Sequence, residues 1–94
     1  MMYWLLYDIV NDRRRAKAVR LCRDCGLERL QKSCFFGELQ KGQLTELKEK
    51  MRNLIADEDS LYLIPIASDM VGQICGMGSA GRLAETVQPE VCFF

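Results

Sequence analysis

The chain begins with a continuous run of apolar and aromatic residues from Tyr3 to Tyr7, which resumes beyond Asp8 in Ile9 and Val10. A continuous apolar run of this length is typical of a strand that is buried on both faces, whereas strict alternation indicates a strand with one face in water. We therefore predict that the fold has a central β-strand at its beginning.

A helix is predicted to follow this strand. Asn11 or Asp12 can cap its first turn, and Gly26 can take the left-handed conformation that commonly ends a helix. Apolar residues recur at every third position between these signals, at Ala16, Val19, Cys22 and Cys25. The pattern predicts a helix from Asp12 to Cys25 with its arginines facing solvent.

Residues 27–39 form an imperfectly alternating segment, in which Leu30, Lys32, Cys34 and Phe36 share one side if the chain is extended. Gln31 and Ser33 would then face the same way as the apolar Phe35. We expect two short strands, or one strand that contains a bulge.

A second helix and a further strand complete the pattern. Leu44, Leu47, Met51 and Leu54 are three or four residues apart with charged residues between them, as in an amphipathic helix. Residues 60–66 are apolar and contain Pro65, which has no N–H to donate and therefore belongs at a sheet edge or at the end of pairing. The predicted order is βαββαβ, an α+β core domain over residues 1–66.

The remaining residues have a different composition. Residues 67–88 are rich in glycine and small side chains, whereas the chain ends in the apolar segment Val91–Phe94. We interpret residues 67–88 as a flexible tether and residues 89–94 as an additional C-terminal strand.

Composition narrows the possible functions. The 94 residues are enough for one domain, and they contain no apolar run near the roughly 20 residues that cross a bilayer. With no secretory signal in view, we expect a cytoplasmic protein with no membrane partner and with five reduced cysteines. The absence of histidine excludes catalysis by an imidazole base and most catalytic zinc sites.

Charge is distributed unevenly along the chain. Residues 1–34 contain eight basic and four acidic residues, whereas residues 35–94 contain five and nine. Arginine predominates in the basic part, and its guanidinium group can bind phosphate through two hydrogen bonds. The candidate nucleic-acid-binding residues are Arg13, Arg14, Arg15, Lys17, Arg20 and Lys32. The alternative is that they form only a solvated helical face.

Asp8 is the most informative single residue. A lone carboxylate at the end of an apolar strand is costly to bury without a metal ion, an arginine or a helix N-terminus beside it. It could simply cap the following helix or pair with Arg15. Alternatively, Asp8 binds Mg²⁺ or Mn²⁺, and because one carboxylate is too few, the ion would be shared with Asp8 of a second chain.

Two other motifs are interpreted as structural. The Cys22 and Cys25 thiols have C-x-x-C spacing but lie on the apolar side of the predicted helix, without a second pair to complete a metal site. Residues 76–81 match G-x-G-x-x-G only superficially, because no convincing strand precedes them and no helix pattern follows. We expect core packing for the first and a flexible loop for the second.

Three segments together resemble the CRISPR-associated protein two family. They are Tyr7-Asp8-Ile9, Asn11 to Arg15, and the stretch from Gly26 to Leu39 that reads GLERLQKSCFFGEL. The resemblance covers about the first 66 residues. It implies a ferredoxin-like βαββαβ domain that forms a symmetric homodimer, in which each C-terminal strand joins the partner's sheet.

The resemblance also implies a function in CRISPR adaptation, the acquisition of new spacers, together with an integrase of the CRISPR-associated protein one family. Its members are associated with metal-dependent endonuclease activity on single-stranded RNA or double-stranded DNA. The alternatives are a non-catalytic adaptor that holds protospacer DNA and bridges integrase dimers, and a toxin-like messenger-RNA interferase.

The family pattern assigns candidate catalytic residues to this chain. The matching positions are Tyr7, Asp8, Arg15, Arg29, Ser33 and Phe35. Asp8 is also the implied metal ligand, meeting its counterpart across the dimer. Lys17 stands where the family has a second arginine, so bidentate phosphate binding is lost there although a phosphate contact remains possible.

Overall fold

The elements follow the predicted order in the computed structural model, which describes residues 1–78. They are β1 (Met2–Asp8), α1 (Asp12–Asp24), β2 (Glu28–Gln31), β3 (Cys34–Glu38), α2 (Lys41–Leu54), β4 (Ser60–Ile66) and a one-turn helix, α3 (Ser68–Val71). The prediction of a βαββαβ domain is confirmed. The predicted C-terminal strand at residues 89–94 and residues 79–88 of the predicted tether lie outside the described residues.

The strands form one antiparallel sheet in the order β2-β3-β1-β4. The predicted central position of β1 is confirmed, since Leu5 lies opposite Phe35 on one side and Leu63 on the other. Among the strands of residues 1–78, β4 pairs only with β1, so Pro65 lies on an edge strand of this sheet, where its missing N–H is tolerated. This strand order and connectivity are those of a ferredoxin-like fold.

Both long helices contribute to the core on one face of the sheet. The buried residues of this core include Leu5, Tyr7 and Phe35 from the strands, Ala18 and Cys22 from α1, and Leu47 and Met51 from α2. The helix pattern of α2 is thus confirmed. In α1 the buried positions are four apart, and Ala16 is exposed, because a three-residue spacing drifts around a helix of 3.6 residues per turn.

The opposite face of the sheet, here called the open face, is only partly covered. Met2, Phe36 and Val71 form a small second core there, so α3 covers one end of it. Val71 is 1% exposed, which the glycine-rich composition of residues 67–88 did not indicate. At the other end the side chains of Leu6, Tyr62 and Ile64, here called the open-face patch, are 37%, 62% and 42% exposed.

The connections of β2 hold its short pairing in place. Gly26 has a φ of 89°, and this left-handed residue lets Leu27 N–H donate to the Cys22 carbonyl as α1 ends. The register of β2 against β3 shifts between Arg29 and Gln31, which confirms two short strands with an irregularity. Within residues 1–78, no helix has the length and apolar character that a membrane span requires.

Candidate functional site

Asp8 lies at the last position of β1, with its side chain exposed. It pairs in register with Ser60, the first residue of β4, and strand alternation puts it on the open face together with Leu6. The sheet ends here, so water reaches the carboxylate, and the burial cost that a strand-end position led us to expect does not arise in the single chain. No hydrogen bond or ion pair joins Asp8 to another side chain within residues 1–78.

The alternative roles considered for Asp8 are filled by other residues. The cap of α1 is Asn11, whose Oδ1 accepts hydrogen bonds from the backbone N–H groups of Arg13 and Arg14 at 2.9 and 3.0 Å. Asp8 therefore caps no helix, and its carboxylate remains available on the surface.

Arg15 is also engaged elsewhere. Its guanidinium group donates to Asp12 Oδ1 at 2.8 Å and to the carbonyl oxygens of Ile9 and Val10 at 3.2 and 3.3 Å. These bonds fold the side chain back over the connection that follows Asp8. Arg15 thus binds Asp12 and the backbone that follows Asp8 rather than Asp8 itself, and its side chain remains 42% exposed.

An ion pair fixes the same connection from the other side. The Asp59 carboxylate, which has no exposed surface, accepts hydrogen bonds from Arg14 Nε at 2.9 Å and from the N–H groups of Val10 at 3.0 Å and Ala56 at 2.9 Å. Donation from Arg14 lowers the pKa of Asp59 to about 2. Arg14 also contacts Glu58 at 2.8 Å. Its Nε and Nη2 groups both donate to carboxylates, so Arg14 helps to hold the fold, and its role as a phosphate contact stays a prediction.

The turn between β2 and β3 is held against the residue that precedes Asp8. The Tyr7 hydroxyl donates to the Lys32 carbonyl at 2.6 Å, and the Tyr7 N–H donates to the Ser33 carbonyl at 3.1 Å. Arg29 donates to the same Lys32 carbonyl at 2.9 Å. Burial raises the pKa of Tyr7, so the phenol stays protonated and continues to donate. Tyr7 and Arg29 therefore position the Lys32–Ser33 turn.

Phe35 lies in the core beneath this turn, with no exposed surface. Its ring centroid is 6.3 Å from that of Tyr7, and the Arg29 guanidinium carbon lies 5.9 Å from the same centroid, over the ring. A direct catalytic contact by Phe35 is inconsistent with this burial. Ser33, in contrast, is exposed in the turn, so its place among the candidate catalytic residues stays a prediction.

The basic residues thus separate into two groups. Arg14 and Arg15 stabilise the β1–α1 connection, whereas Arg13, Lys17 and Arg20 are exposed and form no ion pair within the described part of the chain. Lys32 is exposed in the β2–β3 turn. These four exposed cations are the predicted phosphate contacts that form no ion pair within residues 1–78.

The metal-binding capacity of one chain is small. Among residues 1–78, no three His, Cys, Asp or Glu side chains come together as a set that could hold an ion. Asp8 offers hard carboxylate oxygens of the kind that Mg²⁺ and Mn²⁺ bind, but only one such group. The residues therefore fit a divalent ion only if a second chain supplies another Asp8 and water completes the coordination.

Cys22 and Cys25 are confirmed as structural. Cys22 is buried, and the Cys25 thiol donates to the Cys22 carbonyl at 3.2 Å. Burial raises the pKa of Cys22 to about 12, which leaves it protonated and unreactive at neutral pH.

Asp59 is the residue of this region that the sequence analysis missed. Its partner Arg14 lies 45 residues away, so no local pattern connects the two. The available signal was charge complementarity between the arginines that begin α1 and the acidic run Asp57-Glu58-Asp59 before β4.

Comparisons with known proteins show which family this chain resembles. A family model described as CRISPR associated protein Cas2 matches residues 1–74. The CRISPR-associated endoribonuclease Cas2 of Desulforudis audaxviator is 38% identical over 58 residues, which are 62% of this chain and 55% of that relative, so the match spans little more than half of its length. The CRISPR-associated endoribonuclease Cas2 3 of Synechocystis is 35% identical over 74 residues, covering 78% of this chain and 79% of the relative.

A solved structure shares the fold. The crystal structure of Streptococcus pyogenes Cas2 superposes with a TM-score of 0.72 over 83% of this chain and all of that one, at 21% identity. At that identity the likeness concerns the fold alone. The family match over residues 1–74 is the stronger evidence, and with the sheet order and the strand-end Asp8 it shows that this chain belongs to the CRISPR-associated Cas2 family.

Proposed function

We propose that this protein is a metal-dependent endonuclease of CRISPR adaptation, which acts as a homodimer on single-stranded RNA or double-stranded DNA together with a CRISPR-associated integrase. The observation that carries the proposal is the exposed Asp8 carboxylate, which has no hydrogen-bond or ion-pair partner among the side chains of residues 1–78. The backbone next to it is held by hydrogen bonds from the Tyr7 hydroxyl, the Val10 N–H and the Arg15 guanidinium group. A preorganised, unpaired carboxylate is suited to hold an ion that contacts substrate. Two relatives bear the name endoribonuclease.

The open-face patch supports the homodimer. Leu6, Tyr62 and Ile64 are apolar and exposed, and the register places Leu6 directly opposite Tyr62. Apolar side chains exposed together on one face are typical of an interaction surface. In a two-fold dimer the open-face patch of one chain packs against the same patch of the other chain. Asp8 lies two residues beyond Leu6 on the same face of β1, so this packing would bring the two Asp8 residues towards the dimer axis. Residues 89–94 would then add a strand to the partner's sheet.

The described residues divide the work of binding and cleavage. The two Asp8 carboxylates would hold Mg²⁺ or Mn²⁺, and the bound ion would supply positive charge to the phosphate and activate water. Lys32 and Ser33 are exposed in the turn that Tyr7 and Arg29 position, and they would bind the scissile phosphate. The exposed cations of α1 bind the flanking backbone, mainly through charge.

A cleavage assay tests this proposal. The purified protein is incubated with single-stranded RNA or duplex DNA in Mg²⁺, in Mn²⁺ or in EDTA. Cleavage should require the ion and should be lost in Asp8→Asn, whereas Asp57→Asn, a matched change at another exposed aspartate, should leave it intact. Cleavage that persists in Asp8→Asn at the parent rate would refute the assignment.

The alternative is a non-catalytic adaptor that holds protospacer DNA and bridges integrase dimers. The observation that favours it is that residues 1–78 of each chain contribute one carboxylate, Asp8, to the site. Spacer acquisition in cells with Asp8→Asn distinguishes the two. If Asp8→Asn supports spacer acquisition at the parent level, the protein acts in adaptation as a scaffold, whether or not it cleaves nucleic acid in vitro.

A further inference from the structure

Helices α1 and α2 leave a groove between them on the side of the sheet opposite the open face. This groove has a volume of about 320 Å³ and is lined by Lys17, Arg20 and Leu21 from α1 and by Lys50, Asn53 and Leu54 from α2. Three of these six residues are cationic and none is acidic. We call it the basic groove.

We propose that the basic groove binds the phosphate backbone of nucleic acid, with Lys50 and Asn53 of α2 forming its second wall. The inference rests on the proposed nucleic-acid-binding function and adds a site to it. Lys17 and Arg20 are three residues apart on one helix, and Lys50 and Asn53 are three apart on the other. This spacing places each pair on one helical face, so the groove is lined by two rows of donors.

The chemistry of the lining matches a phosphodiester. Arg20 can donate two parallel hydrogen bonds to phosphate oxygens, the lysines supply point charges, and the Asn53 amide adds a neutral donor. Leu21 and Leu54 are half-buried and pack against the core, which gives the groove an apolar floor. That floor can pack against the sugar carbons while the cations hold the phosphates.

The charge of the lining changes from positive in the basic groove to mixed in the depression beside it. A neighbouring depression shares Leu21 and Lys50 but is also lined by Asp24 and Glu46, so a polyanion is favoured only at the basic end. Glu46 Oε1 contacts Lys50 Nζ at 2.8 Å. The two side chains are 66% and 52% exposed, and an ion pair so open to water is weak enough for a phosphate to replace the carboxylate.

Binding measured as a function of salt tests the groove. Dissociation constants for a duplex DNA and for a single-stranded RNA are measured by fluorescence anisotropy over a range of salt concentrations, for the parent and for Lys50→Gln. Loss of one phosphate contact should reduce the slope of log affinity against log salt by about 1 and weaken binding about eightfold near 0.1 M salt. Lys48→Gln removes the same charge from an exposed position of α2 outside the groove, so it should leave the slope unchanged.

A second variant tests the same site in the opposite direction. Glu46→Gln removes the carboxylate that competes with phosphate for Lys50, so it should tighten binding. Circular dichroism establishes that all variants retain the fold.

The possible outcomes separate the two proposals. If the parent binds nucleic acid but Lys50→Gln and Lys48→Gln behave alike, the groove is refuted and the proposed function stands. If the parent binds neither DNA nor RNA, the nucleic-acid-binding function fails, and the groove fails with it.

Discussion

Replacement of Phe35 by leucine tests whether this residue acts through the fold or by contact with substrate. The ring has no exposed surface, and both the Tyr7 ring and the Arg29 guanidinium group lie against it. Leucine keeps the position apolar but removes aromatic volume and the cation–π contact with Arg29. We therefore expect a loss of stability without loss of a catalytic group.

The expected loss can be bounded from known substitutions. A volume-conserving apolar exchange in a core costs below about 1.5 kcal/mol, and truncation of phenylalanine to alanine costs about 3 to 5 kcal/mol. An exposed cation–π contact adds about 0.5 to 1 kcal/mol. We expect about 1.5 to 2.5 kcal/mol for Phe35→Leu. At about 4 to 8 °C per kcal/mol for a domain of this size, Tm should fall by roughly 6 to 20 °C.

Thermal unfolding is compared at equal protein concentration, because the proposed dimer would make Tm depend on concentration. Cleavage is measured well below Tm and expressed per folded molecule, where Phe35→Leu should match the parent. Phe36→Leu is the matched control, since Phe36 is equally buried but packs with Trp4 on the open face at 4.6 Å between ring centroids. Abolished cleavage in Phe35→Leu with an unchanged Tm would refute the reasoning, because only direct substrate contact explains that combination.

Three further predictions concern other parts of the structure. Because Arg14 lowers the pKa of Asp59 from 3.8 to about 2, their pairing stabilises the fold above about pH 4, and this stabilisation is lost as the pH falls towards 2. In acid unfolding followed by circular dichroism, Asp59→Asn should lack this loss of stability. An acid transition unchanged from that of the parent would contradict the prediction. Ile64→Lys puts a charge into the open-face patch and should shift the protein to monomer in analytical ultracentrifugation; an unaltered dimer would place the interface elsewhere. Iodoacetamide at about pH 8 should alkylate exposed Cys75 and spare buried Cys22, as read by peptide mass spectrometry, and equal labelling would contradict the burial.

Local patterns predicted most of the fold because they report local causes. The apolar run before Asp8 indicated a central strand, and Gly26 indicated a helix end because few other residues take its conformation so readily. Pro65 in β4 indicated a sheet edge or the end of pairing because proline has no N–H to donate to a neighbouring strand.

Long-range contacts escaped the same reasoning. Alternation grouped Phe35 with the polar Gln31 and Ser33, but the turn at residues 32–33 resets the alternation, and Phe35 is buried against the helices. The pairing of Arg14 with Asp59 depends on how two distant connections meet, so no local pattern predicted it. Val71 is the one buried residue of a four-residue helix, which is too short to show any periodicity.

The stoichiometry of Mn²⁺ binding tests most directly the central claim that Asp8 from two chains holds one ion. Isothermal titration calorimetry on the purified protein should give one Mn²⁺ for every two chains. Binding should vanish in Asp8→Asn and persist in Asp57→Asn. One ion per chain, or undiminished binding in Asp8→Asn, would contradict the account, because either result requires ligands other than a shared pair of Asp8 carboxylates.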